Sequence, residues 1–234
     1  GCGNHCQLTV NTFADGRKFI SGNRCSRPLG KEKVEMPDLM TYKYKKLRAM
    51  EGKGEGDGSR GRIGIPFGLN MYENLPFWFT FFTRLNFEVV LSPESSRKLY
   101  LKGQHTIPSD TVCYPAKLLH GHVEALVEAG VDAIWYPCMS YNNDEGIGDN
   151  HFNCPVVAYY PELLAANMPV LKQTRFLDPY VGLWRRKDFK KRAVKMMEAD
   201  FGIPKRETEG AVDAAYAAYD AYVHDVRETG AQYI

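Results

Sequence analysis

The chain has 234 residues, of which 44% are hydrophobic and 25% are charged, as in ordinary globular domains with one sizeable core. The formal net charge is +2, which is too small to indicate binding to nucleic acid or to an anionic membrane. No apolar run has the length of a membrane span and no secretory leader opens the chain, so we predict a cytoplasmic protein without nucleic-acid or membrane partners.

Six cysteines stand at positions 2, 6, 25, 113, 138 and 154. Because no secretory signal is present, we expect reduced thiols with metal or redox roles rather than disulfides. The alternative is that individual cysteines only fill the core, which is common for this residue type. The chain begins with Gly1 rather than Met, so we interpret it as a piece of a longer protein.

Residues 1–30 predict a β-hairpin that carries cysteines. Apolar and polar residues alternate from residue 8 to 12, which predicts a first strand. Asp15-Gly16 is a turn signal, and residues 18–21 predict the second strand of the hairpin. The hairpin brings Cys25 back towards Cys2 and Cys6.

A hairpin alone is marginally stable in water, so these cysteines indicate a zinc or iron–sulfur site that holds it together. A closed tetrahedral site would need His5, or a residue upstream of Gly1, as its fourth ligand. The alternative is a hairpin with unliganded thiols.

The next segment, residues 31–61, predicts a connection between two folded parts. Residues 31–50 are basic and amphipathic and predict a short helix or strap. Residues 51–61 alternate glycine with charge, which is typical of a flexible linker.

From residue 62 the pattern predicts an α/β domain. Apolar runs predict strands at 63–67, 87–91, 131–138 and 156–160, and helical spacing predicts helices at 72–85, 118–129, 185–201 and 207–229. Strands that alternate with helices indicate an open, mostly parallel, Rossmann-like sheet flanked by helices. We interpret the aromatic residues of the first helix as core, and the Lys/Arg cluster at 185–192 as a solvated face rather than a docking site. His120 and His122 are two residues apart on a helix, so they point in different directions.

Three cysteines stand at junctions between these elements. Cys113 precedes a helix that Pro115 can start, Cys138 ends a strand, and Cys154 lies in the loop before an apolar run. Ligands of open α/β sheets bind outside the carboxyl ends of the strands, so we expect the three thiols to converge there. Three thiolates would bind a metal and leave one position open.

Several motifs are long enough to identify a resemblance. They are G-I-P-F-G-L-N-M-Y-E-N-L-P-F-W, S-S-R-K-L-Y, T-V-C-Y-P-A-K-L-L-H-G-H and D-A-I-W-Y-P-C-M, with N-H-C-Q-L-T-V and F-I-S-G-N-R-C before them. Together they resemble the domain appended to large activase-type proteins of the 2-hydroxyacyl-CoA dehydratase family. That domain is similar to the D-component of 2-hydroxyglutaryl-CoA dehydratase and, more distantly, to the benzoyl-CoA reductase subunits.

The resemblance implies an oxygen-sensitive iron–sulfur protein in an ATP-driven electron-transfer system for acyl-CoA dehydration. In such subunits three cysteines hold a cluster of the 4Fe-4S type, and by position these correspond to Cys113, Cys138 and Cys154. The implied partners are an ATPase activase domain or dehydratase subunits, with acyl-CoA as a candidate ligand. Lys117 is a candidate for the CoA phosphate or for offsetting cluster charge, and the alternative is a surface lysine.

The resemblance covers nearly the whole chain, with residues 62–234 as the dehydratase-like α/β domain. The phosphate-binding motifs of the family's ATPase modules do not occur in the sequence, so the chain resembles only the dehydratase-like half of those proteins. We identify no general acid or base and leave open whether the chain is an enzyme. The alternative functions are a non-enzymatic α/β binding or interaction domain with zinc at residues 2–25, and an inert structural fragment.

Overall fold

The structure is a computed structural model that describes residues 5–30, 37–146 and 148–233. Two compact units divide the chain, Gly1–Asp38 and Leu39–Ile234, so the predicted strap and linker at 31–61 falls partly in each. The strands are β1 (Thr9–Thr12), β2 (Lys18–Ser21), β3 (Arg62–Ile65), β4 (Glu88–Leu91), β5 (Ala133–Trp135) and β6 (Arg175–Leu177). The helices are α1 (Leu39–Arg48), α2 (Asn70–Glu73), α3 (Leu75–Arg84), α4 (Arg97–Gly103), α5 (Tyr114–Glu128), α6 (Pro155–Asn167), α7 (Arg186–Phe201) and α8 (Lys205–Ala231).

The N-terminal unit is the predicted hairpin. Strands β1 and β2 are antiparallel, with Thr9 opposite Ser21 and Thr12 opposite Lys18, and Gly16 in the turn has a φ of 82°. A Cβ on Gly22 would lie 2.2 Å from the carbonyl oxygen of Gln7, so the returning chain passes directly against the segment that follows Cys6. None of residues 5–30 is buried, so this part of the hairpin forms no apolar core.

The larger unit contains a four-stranded parallel sheet in the order β4-β3-β5-β6. This confirms the predicted fold class. The chain leaves β3 towards one edge of the sheet and later adds β5 on the other side of β3. The strand order therefore reverses between β3 and β5, and the crevice at the carboxyl ends of these two strands is where open α/β sheets bind ligands.

The predicted fourth strand, residues 156–160, is wrong. These residues belong to α6, which starts at Pro155, and the fourth strand is β6. The third strand is also shorter than predicted, because Pro137 has no N–H to donate to a ladder. Pairing resumes after it, since the backbone N–H of Cys138 donates to the carbonyl oxygen of Pro179 at 3.0 Å.

Aromatic side chains of α3 build the core, as predicted. The predicted helix 72–85 is divided into α2 and α3, and the buried residues of α3 include Phe77, Trp78, Phe81 and Phe82. The ring of Trp78 lies 5.1 Å from that of Trp135 in β5. Helix α3 also packs on α8, and α8 packs on α7, so the two closing helices, confirmed close to their predicted bounds, join this side of the core.

Residues 51–61 pack against the domain, although their composition predicted a flexible linker. A Cβ on Gly54 would lie 2.4 Å from Cγ2 of Thr83, and one on Gly56 would lie 2.6 Å from the carbonyl oxygen of Thr83. The glycines here allow backbone to approach α3 closely. Within the described ranges, no helix combines the length and apolarity that a membrane crossing requires.

Candidate functional site

Three cysteines lie at the carboxyl edge of the parallel sheet. Cys113 is the N-cap of α5 and Cys154 is the N-cap of α6, while Cys138 follows β5. A helix that connects two parallel strands begins near the carboxyl end of the first strand. The topology therefore places Cys113, Cys138 and Cys154 at one edge of the sheet, which we call the cysteine edge. In the part of the chain that the structure describes, however, no three side chains of His, Cys, Asp or Glu form a group that could hold a metal ion.

The two cysteines at helix starts are exposed. A proline occupies the first turn of each helix, where its missing N–H costs nothing. Sγ of Cys154 accepts the backbone N–H of Val157 at 3.4 Å. Both sulfurs therefore lie at the positive end of a helix, where they are accessible to a metal ion or to a reagent.

Cys138 differs because its side chain is only 1% exposed. Burial raises the pKa of its thiol to about 11. A hydrogen bond with the backbone of Glu162 opposes this shift, and the negative charges of Glu162 and Asp178 add to it. Its backbone pairs with Tyr180 in a parallel bridge. At neutral pH the thiol therefore keeps its proton, and any ligand role requires that proton to leave.

A buried series of hydrogen bonds joins α5, which follows Cys113, to α6, which follows Cys154. Oγ1 of Thr106 donates its single proton to the carbonyl oxygen of Gly103 at 2.8 Å and lies 2.6 Å from Nδ1 of His120. Nδ1 must then be the donor in that contact, which leaves Nε2 to accept the hydroxyl of Tyr160 at 3.0 Å. Burial lowers the pKa of His120 to about 4, so the ring is neutral.

Tyr160 is the member of this hydrogen-bond series that lies in α6, the helix capped by Cys154. Burial raises the pKa of its hydroxyl to about 12, and the charge of Cys113 adds to the shift. Tyr160 was not predicted as a site residue, because the apolar run at 156–160 indicated a strand. The signal that was available is Cys154-Pro155, which matches the helix start recognised at Cys113 and Pro115.

His122 has its own polar partners. Its Nδ1 lies 2.7 Å from Oγ of Ser92, and its Nε2 lies 3.0 Å from Oγ of Ser95. Ser92 also accepts the backbone N–H of Phe67 at 2.7 Å, which holds the loop after β3. Burial lowers the pKa of His122 to about 4. The two histidines thus face separate partners, as their spacing predicts.

The loop after β3 carries backbone strain, and the first residue of α2 carries an unpartnered amide. Leu69 has a φ of 47°, which non-glycine residues rarely adopt. Asn70 is 7% exposed, and neither side-chain atom of its amide has a hydrogen-bond partner among the described residues. Such features concentrate at functional sites, and this loop borders the crevice between β3 and β5. No sequence pattern pointed to it.

The other predicted site residues are Lys117, in the first turn of α5, and the cysteines of the hairpin. The backbone N–H of Lys117 donates to the carbonyl oxygen of Cys113 at 3.1 Å. Nζ of Lys117 donates to the carbonyl oxygen of Asp110 at 2.7 Å, which fastens the loop before Cys113. In the hairpin, Cys6 is half-buried and Cys25 is exposed, whereas Cys2 lies outside the described residues.

The cysteine edge can be compared with the needs of an iron–sulfur cluster. Cluster irons bind cysteine thiolates, so the donor chemistry of Cys113, Cys138 and Cys154 fits. The side-chain positions do not form a closed ligand group, since Cys138 is buried and the other two are exposed. Ligation by all three would require local rearrangement.

Comparison with protein families gives a match over residues 62–234, to the family described as the CoA enzyme activase uncharacterised domain. Searches of curated proteins and of solved structures give no match. The matched range covers most of the chain and includes the whole parallel sheet with its carboxyl edge. The chain therefore belongs to the CoA enzyme activase uncharacterised domain family, as the sequence motifs indicated.

Proposed function

We propose that this chain is an iron–sulfur electron-transfer module of a cytoplasmic, ATP-dependent 2-hydroxyacyl-CoA dehydratase/activase system. Cys113, Cys138 and Cys154 would hold a cluster of the 4Fe-4S type. The observation that carries the proposal is the placement of three thiols at one sheet edge, two of them at helix starts. Family membership supports the activase context.

A bound cluster would supply one-electron transfer at the carboxyl edge. The chain's own residues set the conditions for binding it. Cys113 and Cys154 present exposed sulfur at positive helix ends, whereas Cys138 must release a proton from a thiol whose pKa is about 11. Metal binding and proton release are linked, so cluster assembly should become more favourable as pH rises.

The partners follow from the same context. An ATPase activase domain or dehydratase subunits would exchange electrons with the cluster, and acyl-CoA is the candidate ligand. Lys117 is fastened to the Asp110 carbonyl, so we propose that it keeps the Cys113 loop in place and meets a CoA phosphate only if that hydrogen bond opens.

Anaerobic reconstitution tests the cluster proposal. Wild-type protein incubated with iron and sulfide should develop a broad visible absorption band, and Cys113→Ser or Cys138→Ser should abolish it. Cys25→Ser is the matched control, because it removes a thiol from the other unit and should keep the band. Equal iron and sulfide contents in the wild type and in the Cys113 and Cys138 variants would contradict the proposal.

A second candidate is a non-enzymatic binding domain whose hairpin is held together by zinc. It is favoured by the absence of any buried residue within 5–30, because a two-stranded hairpin without a core needs another source of stability. Zinc without acid-labile sulfide, lost on Cys6→Ser or Cys25→Ser, would support it. Zinc-free wild-type protein with an intact hairpin would contradict it.

A further inference from the structure

A groove of about 660 Å³ opens at the same edge of the sheet as the cysteines. Its walls come from the segment that follows β5, the segment that follows β6, and one side of α7. We call it the basic groove and define it by Tyr180, Trp184, Arg185, Lys191, Arg192 and Lys195. Its volume lies within the range of about 300–1,000 Å³ that is usual for small-molecule sites.

The charge of the basic groove is unbalanced. Arg185, Lys191, Arg192 and Lys195 face a single lining carboxylate, Asp188. Across the described ranges, none of these four cations forms a salt bridge. A helix surface that only needs solubility does not require four cations beside one cavity, so this arrangement indicates an anionic ligand.

Neighbouring cations on the same helix behave differently. Arg186 binds Asp220 through two contacts of 2.7 Å, and Lys190 pairs with Asp213. Carboxylates of α8 therefore neutralise Arg186 and Lys190, whereas the cations of the basic groove form no salt bridge across the described ranges. Lys191 also borders the cavity beside α8. The sequence suggested that the cluster at 185–192 was a solvated face. Within it, Arg186 and Lys190 are paired, three cations line the basic groove, and Lys187 belongs to neither group.

The basic groove also presents flat aromatic surface. Trp184 is 40% exposed and Tyr180 is 45% exposed. The guanidinium of Arg185 lies 4.0 Å from the centre of the Trp184 ring. Exposed indole beside cations combines two kinds of recognition, because a planar base stacks on the ring while phosphates bind guanidinium and ammonium groups.

We propose that the basic groove binds the nucleotide part of a phosphorylated ligand. The base stacks against Tyr180 and beside Trp184, whose ring is already contacted by Arg185 at 4.0 Å and by Tyr141 at 4.8 Å. The phosphates bind Arg192 and Lys195. Cys138 and Ser140 line the same cavity, so a group attached to the phosphates can extend towards the cysteine edge. The identification of the ligand as a CoA ester rests on the proposed function. Binding of a nucleotide in the basic groove does not require a cluster.

Fluorescence of Trp184 provides the test, because Trp78 and Trp135 are buried. Iron-free protein, handled in air, is titrated with adenosine 3′,5′-bisphosphate, with pyrophosphate and with adenosine. We expect saturable quenching by the bisphosphate, about tenfold weaker binding of pyrophosphate, and no binding of adenosine. Trp184→Phe should remove the signal.

Charge variants test the residues. Arg192→Gln with Lys195→Gln should weaken bisphosphate binding at least about tenfold, since each loses a charge-assisted contact. Lys187→Gln is the control: it removes one cation from α7 outside the groove and should change binding less than about twofold. No quenching, equal binding of pyrophosphate, or equal effects of the groove and control variants would overturn the inference. Cluster reconstitution can succeed or fail independently of this result.

Discussion

The hydroxyl of Tyr160 lies 3.0 Å from Nε2 of His120 and joins α6 to α5 inside the core. Each of these helices begins at a cysteine, so the contact fixes the distance between two cysteine-capped helix starts. The chain continues through Nδ1 of His120 to Thr106. We regard it as the support of the cysteine edge.

Tyr160→Phe should lower the free energy of unfolding by about 1–3 kcal/mol, because it leaves Nε2 of His120 buried without a partner. Urea denaturation measures the change. Tyr159→Phe is the matched control, since Tyr159 is adjacent and 45% exposed, and it should have little effect. Equal losses in the two variants would show that the buried hydrogen bond is unimportant.

The buried histidines predict a pH dependence. In the folded protein the pKa of His120 and of His122 is about 4, against an ordinary 6.5. The unfolded chain therefore binds more protons between these values, and stability falls as pH drops from about 6.5 to about 4. Each ring contributes a slope of about 1 kcal/mol per pH unit.

Urea denaturation at pH 7, 6 and 5 measures that slope. His122→Asn should reduce it, whereas His224→Asn should not, because the side chain of His224 is 73% exposed. An unchanged slope in His122→Asn would mean that other groups produce the acid sensitivity.

Close packing between α4 and α5 predicts a glycine requirement. A Cβ on Gly121 would lie 1.9 Å from the carbonyl oxygen of Leu99, so Gly121→Ala should destabilise the fold by about 1–3 kcal/mol. Gly210 in α8 has open space around it, and Gly210→Ala should stabilise by about 0.5–1 kcal/mol. Thermal unfolding compares the two variants, and a neutral Gly121→Ala would contradict the observed helix contact.

Cys138 should react slowly in the native protein. Its pKa of about 11, against an ordinary 9.0, reduces the thiolate fraction, by about 100-fold at pH 8. Alkylation followed by peptide mass spectrometry should show Cys138 at least about tenfold slower than Cys113 and Cys154. In denaturant the three rates should converge, and native rates that are already equal would contradict the burial of this thiol.

The sequence predicted those helices and strands whose hydrophobic pattern fits only one type of element. Helical spacing of large aromatics identified α3, and uniform apolar runs identified β3 to β5. The run at 156–160 failed because a short apolar segment fits a strand or a buried helix equally well. Pro155 after Cys154 was the deciding local signal.

The site was less predictable because it depends on distant contacts. Tyr160 meets His120 across 40 positions, and the basic groove combines the segment after β5 with α7. A glycine-rich segment can be either a flexible linker or a backbone that packs closely against its neighbours. Here Gly54 and Gly56 allow close packing on Thr83. The positions of the cysteines along the sheet edge followed from topology, whereas the burial of Cys138 did not.

Iron, acid-labile sulfide and zinc analysis of protein purified without oxygen tests the central claim most directly. The account predicts iron and sulfide in equal amounts, with both lost when Cys113, Cys138 and Cys154 are replaced together by serine. Protein that contains neither iron nor sulfide, or whose iron is unaffected by that replacement, would contradict an electron-transfer role for the cysteine edge.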